Sequence, residues 1–254
     1  MMSRRTLLGL AASCAIAPLA RAEPGAFPPD VGRKFTSNGL VRPFLGNTII
    51  CHLPQQGANS GPFTDLLDLY REAPAHAFSR KITLTPPSSY HMTIFGGAND
   101  QERKPGLWPA DIPRDMPIEE CNRILGERLQ GQTFSCPLPI RMKIDPAPES
   151  ETPITLHLLP ADADEDRKLR DLRDRLSALL GIRAPDHAHY RFHVTLAYQI
   201  AWLTEEEKRD YRTALSGWIG RFAARNPIIE LGAPEYCTLV DMFAFRRQFY
   251  LSVS

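Results

Sequence analysis

Apolar residues recur along this chain in two rhythms, a period of two that marks half-buried strands and a period near 3.6 that marks helices. The β-branched run Asn47-Thr48-Ile49-Ile50-Cys51-His52-Leu53 lies between breakers and predicts a strand over 46–54. Phe63, Leu66, Leu67 and Tyr70 stand at helical spacing and predict a helix over 62–73, with Pro62 near its start, where a missing amide is harmless. Segments 82–84 and 90–95 read as strands on either side of Pro86-Pro87, with Gly96-Gly97 ending the second. The polar, Pro-rich stretch 100–117 is a loop long enough to carry function. Ile118, Cys121, Ile124, Leu125 and Leu129 share one face of a helix over 118–129, and strands follow at 139–144 and 154–159. The clearest helix spans 164–180, with Leu169, Leu172, Leu176, Leu179 and Leu180 on one face, charges elsewhere and Gly181 as its stop. A strand over 189–198 comes next, and Thr204-x-x-Glu207 has the form of a capping box opening a helix to 224. Closing strands are expected at 228–231, 236–245 and 249–253, the last two joined by a turn at Arg246-Arg247-Gln248.

Many of these strands adjoin in sequence, which favours an α+β fold with antiparallel sheet over a doubly wound parallel one. There is no GxGxxG and no Walker loop. A chain of 254 residues, 43% hydrophobic and 23% charged, suits a soluble protein of one large domain or two small lobes. A formal net charge of +1 provides no global field for a long nucleic acid duplex, but leaves room for local positive charge around a small anion.

The amino terminus is set aside from the fold. Arg4-Arg5 stands beside an apolar stretch running to about Leu19, which closes on Ala20-Arg21-Ala22, a small-x-small cleavage pattern. Residues 1–22 therefore resemble a twin-arginine export signal, 23–32 read as a Pro-rich extended linker, and 33–254 as the folded domain. The apolar run is short for a membrane span, so the mature protein is expected in the periplasm or secreted, with no stable span after cleavage. Cys51, Cys121, Cys136 and Cys237 remain; none forms a Cys-x-x-Cys, and they read mostly as small buried residues.

Two segments carry the chemistry: Tyr90-His91-Met92-Thr93-Ile94-Phe95 and Phe192-His193-Val194-Thr195-Leu196-Ala197. On a strand, His91 and Thr93 share one face while Tyr90, Met92 and Ile94 share the other; His193 and Thr195 are placed in the same way against Phe192, Val194 and Leu196. A bare His-x-Thr is a weak pattern, but two copies framed by apolar residues describe two strands with core behind and a His-Thr pair in front. Two imidazoles can provide a general base and a general acid near neutrality, and two hydroxyls can donate to phosphoryl oxygens. Parity along the strands adds candidate substrate-binding residues: Arg191 and His189 on the His193 face, Arg141 and Lys143 together on one face of 140–144, and Phe95 as a stacking surface beside His91.

These paired motifs resemble the two-histidine (2H) phosphoesterase superfamily. Gly46-Asn47-Thr48-Ile49-Ile50-Cys51-His52-Leu53 and Tyr90-His91-Met92-Thr93-Ile94-Phe95-Gly96-Gly97 are similar more specifically to its domain-of-unknown-function 1868 branch. The resemblance implies two pseudo-symmetric lobes of antiparallel sheet with helices outside, and a central cleft carrying one His-x-Thr motif per lobe. It also implies metal-independent action, without a cofactor, on 2′,3′-cyclic phosphates, other cyclic phosphodiesters or 2′–5′ linkages in RNA, with His91, Thr93, His193 and Thr195 catalytic. The partners it implies are a small phosphodiester, a cyclic nucleotide or a short RNA end, met by a monomer. The export signal departs from the intracellular setting of many members.

Other readings stay open. His187-x-His189-x-x-x-His193 offers three His for Zn²⁺, though without an HExxH or a carboxylate cluster. An exported binding protein for a nucleotide or phosphate ester could keep the cleft without turnover. A Ser or Cys hydrolase lacks support, since there is no GxSxG and Cys51 and His52 point apart on one strand.

Overall fold

The computed structural model describes residues 25–146 and 154–254, so the expected export signal at 1–22 lies outside the described residues. In chain order the strands are β1 (Gly46–His52), β2 (Ile82–Leu84), β3 (His91–Asn99), β4 (Thr133–Phe134), β5 (Ile140–Ile144), β6 (Thr155–Pro160), β7 (Phe192–Thr195), β8 (Ala197–Gln199), β9 (Ile229–Leu231), β10 (Glu235–Leu239), β11 (Phe245–Tyr250) and β12 (Ser252–Val253). The helices are α1 (Gly61–Glu72), α2 (Ile118–Gln130), α3 (Ala163–Leu180) and α4 (Glu205–Arg225).

Among the described residues, eight strands form one antiparallel sheet in the order β11-β10-β1-β3-β7-β6-β5-β9. The two motif strands, β3 and β7, are therefore direct neighbours at its centre, with the pair Met92–Val194 in register between them. Three strands stand on the outer side of each. Met92, Ile94, Phe192 and Val194 are buried, while His91, Thr93, His193 and Thr195 are half-buried on the other side of the pleat. Each buried side chain of this size contributes roughly 1.5–3 kcal/mol, so the core fixes which face the His-Thr pairs present.

The helices follow their sequence signals. Asp162 caps α3 by accepting from the Glu165 amide at 2.9 Å, and Gly181 ends it in the left-handed conformation at φ 66°. Thr204 and Glu207 form the expected capping box on α4. Two charged residues of α3, Glu165 and Arg173, are buried against the amphipathic reading. Arg173, on α3, is buried, donates to the Ile94 carbonyl at 2.5 Å, and stacks its guanidinium 4.0 Å from the centre of the Tyr190 ring. It ties α3 to the back of β3.

The structure corrects the sequence expectations at several points. Gly96-Gly97 does not end β3, which continues to Asn99. The turn expected at Arg246-Arg247-Gln248 lies earlier, at 240–244, because the Asp241 carboxylate accepts from the amides of Phe243 (2.7 Å) and Ala244 (3.2 Å), an Asx turn. Residues 246–248 are strand; β11 is an edge, where exposed polar side chains are the rule.

The stretch 25–32 is bent in turns rather than extended. Val31 and Val41 pack on a small second core of Phe35, Phe44, Ile200, Leu239 and Met242. That core anchors segment 31–44 against β8 and the 240–244 turn. Cys51, Cys121, Cys136 and Cys237 are buried free thiols.

Candidate active site

His91, Thr93, His193 and Thr195 all line one cleft of about 290 Å³ on the open face of β3 and β7. The two histidines are held alike. His91 donates its Nδ1–H to the carbonyl of Ser89 at 2.6 Å, and His193 donates its own to the carbonyl of Arg191 at 2.8 Å. Each acceptor is the carbonyl two residues upstream, where the chain enters the strand. A backbone carbonyl accepts only, so it fixes the tautomer with the proton on Nδ1 and leaves Nε2 for substrate.

The likeness extends one strand outwards on each side. His52 on β1 stands opposite His91, ring centres 6.1 Å apart, and His157 on β6 stands opposite His193, ring centres 6.0 Å apart. His52 bonds through Nδ1 to the buried Glu235 carboxylate at 2.9 Å.

Burial pushes His91 down from its ordinary value of 6.5 to about 4; the Ser89 carbonyl and Glu235 oppose this, and His52 and His193 add to it. Burial also lowers His193, opposed by the Arg191 carbonyl and helped by the charges of Lys34 and Arg191. Both imidazoles are therefore poised neutral near pH 7. A bound phosphate provides the opposite charge that allows one of them to protonate.

The remaining lining comes from places that the motifs do not reveal. Arg33 and Lys34 bring positive charge from segment 31–44. Lys34 lies 4.7 Å over the Tyr198 ring and 3.3 Å from Asp30; burial lowers its pKa and Asp30 opposes that shift. Asn47 and Thr48 of β1, Gly96 and Gly97 of β3, and Glu102 of the 100–117 loop form another part of the wall. Phe245 stands with its ring centre 4.2 Å from that of His91. Behind the wall, Tyr190 hydrogen-bonds the Thr93 hydroxyl and is pushed up to about 12, chiefly by burial. One sequence signal for Lys34 existed: Val31, Phe35, Val41 and Phe44 frame Arg33-Lys34 with apolar anchors, a pattern foreign to a free linker.

Several expected substrate-binding residues lie elsewhere. Phe95 is 2% exposed and packs against His187 and Arg173, not in the cleft. A bulge is the reason: Ile49 faces Phe95 while the next residue, Ile50, faces Thr93, so Ile94 is an extra residue that reverses the parity counted from His91. Arg141 and Lys143 are exposed on β5, two strands from β7; Arg141 pairs with Asp162 at 2.8 Å and Lys143 reaches the Ala161 carbonyl at 3.5 Å. Alternation correctly put them outside the core, but not on the strand beside the cleft. The Arg191 guanidinium is about half exposed, 3.5 Å from Asp145, and is not part of the lining; its carbonyl is what serves the site. His189 is exposed on the turn before β7. His187 is buried and bonded to Asp174 at 2.9 Å. Among the described residues, no three His, Cys, Asp or Glu side chains are grouped to hold a metal ion.

The two central strands of the antiparallel sheet thus present matched His-x-Thr pairs, two imidazoles and two hydroxyls, to one cleft. Residues 34–152, which include β3, match the family model 2H-phosphodiest, the domain of unknown function 1868. The chain thus resembles the two-histidine phosphoesterase superfamily and, within it, this branch. The fold is similar to a solved conserved protein of unknown function from Agrobacterium tumefaciens str. C58, with 26% identity over 89% of this chain and 93% of that one, at a TM-score of 0.80. A solved protein from Thermus thermophilus matches at 16% identity and a TM-score of 0.41, over 81% of this chain and 96% of that one. No curated protein matches the chain.

Proposed function

We propose that this protein is a metal-independent phosphodiesterase acting on cyclic nucleotides or 2′–5′-linked RNA ends, with His91 and His193 as general base and general acid. The observation that carries the reading is the matched pinning of the two rings: each Nδ1–H is spent on a carbonyl two residues upstream, and each ring lines the same cleft. One imidazole, neutral, takes a proton from the attacking water or hydroxyl through Nε2. The other, protonated once the phosphate is bound, gives its proton to the leaving oxygen. The roles exchange when the reaction runs in reverse. Thr93 and Thr195 donate to the non-bridging oxygens, and Lys34 and Arg33 balance their charge. In this reading the four-stranded halves ending in β3 and β7 are pseudo-symmetric lobes, each contributing one motif.

The test is turnover by the purified mature protein of 2′,3′-cyclic nucleotides and 2′–5′-linked dinucleotides, with and without EDTA. Turnover that survives chelation and is lost in His91→Ala and in His193→Ala is expected. Activity that vanishes with EDTA and returns with Zn²⁺ sinks the two-imidazole mechanism. The proposed setting is the periplasm, on the strength of Arg4-Arg5 and the apolar run after them. A reporter fused behind residues 1–30 should be exported by the twin-arginine route, and export that survives Arg4→Lys with Arg5→Lys would point to another route.

A further inference from the structure

A second cavity of about 520 Å³ opens beside the cleft, between β1, β10 and β11. Phe245 lines both cavities, and its ring stands against His91. His52 lines the second one and is the cross-strand neighbour of His91. The second cavity therefore begins one side chain beyond a proposed catalytic imidazole. At about 290 Å³ the cleft is at the small end of ligand sites and suits a phosphate with one attached ring. A diester with a bulky group on each oxygen needs a second place.

The walls of that place have a definite character. Tyr250 offers a half-exposed ring with the Arg247 guanidinium 4.5 Å from its centre. Arg247 also donates to the Tyr250 hydroxyl at 2.7 Å and lies 3.6 Å from the Glu235 carboxylate. Glu235 is 5% exposed and accepts from His52. The cation is thus already balanced by a buried anion, which disfavours a second phosphate. Aromatic faces at Phe245 and Tyr250, with a carboxylate acceptor and Gln55 at the edge, suit an uncharged planar heterocycle that carries donor groups.

We propose that this cavity binds the second nucleoside of a linear phosphodiester, on the His91 side of the phosphate, so that a dinucleotide is held better than a cyclic mononucleotide. The proposal rests on the phosphodiester reading of the cleft. The test is calorimetric titration of a His193→Ala background, which keeps the diester intact, with adenosine 2′,3′-cyclic phosphate and with 2′–5′-linked diadenosine monophosphate. The dinucleotide should bind at least about 10-fold more tightly, and Tyr250→Ala or Arg247→Ala should bring that ratio towards one. Both positions are exposed on an edge strand, and circular dichroism checks that the variants fold. Equal affinity for the two probes, or a ratio that neither substitution changes, overturns the subsite. If the wild-type protein turns over the cyclic nucleotide while that ratio is one, only the subsite falls. If neither probe binds and neither is turned over, the phosphodiester reading falls with it.

Discussion

His91 and His193 stand on hydrogen-bonded neighbouring strands, next to the Met92–Val194 pair, and each gives its Nδ1–H to the carbonyl two residues before it. Backbone carbonyls alone thus hold the Nδ1 side of both rings. No side chain needs to be recruited to fix the tautomer, so the arrangement depends on β3 and β7 keeping their register rather than on a third residue such as a triad carboxylate.

Removing either imidazole removes a general acid or base. His91→Ala and His193→Ala should each lower turnover by roughly 10²–10⁴, with the double variant less than multiplicatively worse because the two act as a unit. Thr93→Val and Thr195→Val should cost less, each deleting one neutral donor while keeping a β-branched shape. Steady-state kinetics on folded variants decides this; near-full activity in either His variant ends the acid–base assignment. The wild-type profile should be bell-shaped in pH, with apparent pKa values that belong to the pair.

Lys34 should be felt twice. It is a half-buried cation in the lining of the cleft, and its charge helps hold the His193 imidazole down. Lys34→Met should raise KM for a phosphodiester roughly 10- to 100-fold, the worth of a charge-assisted hydrogen bond, with a smaller change in kcat. It should also move the His193 titration, followed by NMR of the ring protons, towards higher pH. A His193 titration that does not move would place Lys34 too far from the site to act on it.

The His-Thr motifs were legible because a period of two, read with apolar flanks, specifies both a strand and its faces. The rest failed where that period breaks or where the chain returns from a distance. Ile94 is a bulge, so counting from His91 misplaced Phe95. Arg141 and Lys143 alternate as they should, yet strand order is not written in alternation, and β6 separates their strand from β7. Lys34 reaches the cleft because Phe35 and Phe44 pack with Ile200, Leu239 and Met242, contacts made by residues far apart in sequence. The closing hairpin was misplaced because the Arg-Arg-Gln run has a turn's polarity, while the turn itself is set by the Asp241 carboxylate.

Stability should depend on pH through His91. Its pKa is about 4 in the folded chain against an ordinary 6.5, so between those values the unfolded chain takes up a proton that the folded chain refuses. Stability is therefore full above about pH 6.5 and falls as the pH drops towards 4, by on the order of 2–3 kcal/mol from this group alone. His193 acts in the same direction. Urea denaturation at pH 7 and pH 4.5 should show a smaller difference for His91→Gln than for wild type. An unchanged difference would mean that His91 is solvated in the folded protein.

The two glycines of β3 should respond oppositely to a methyl group. A Cβ on Gly97 would run into Asn47 Oδ1 and lie 2.7 Å from the Asn47 carbonyl oxygen, while a Cβ on Gly96 would meet nothing within 4 Å. Asn47 has little freedom to withdraw, because it is buried, its amide donates to Asn122 at 2.7 Å, and the strand holds its carbonyl in place. Gly97→Ala must therefore push β1 and β3 apart beside the cleft, at a cost of roughly 1–3 kcal/mol. Gly96→Ala should leave stability within about 0.5 kcal/mol, but it adds a methyl to the cleft wall and should raise KM. Thermal denaturation and KM measured on both variants give the contrast; equal stability would show that β1 can yield at Asn47.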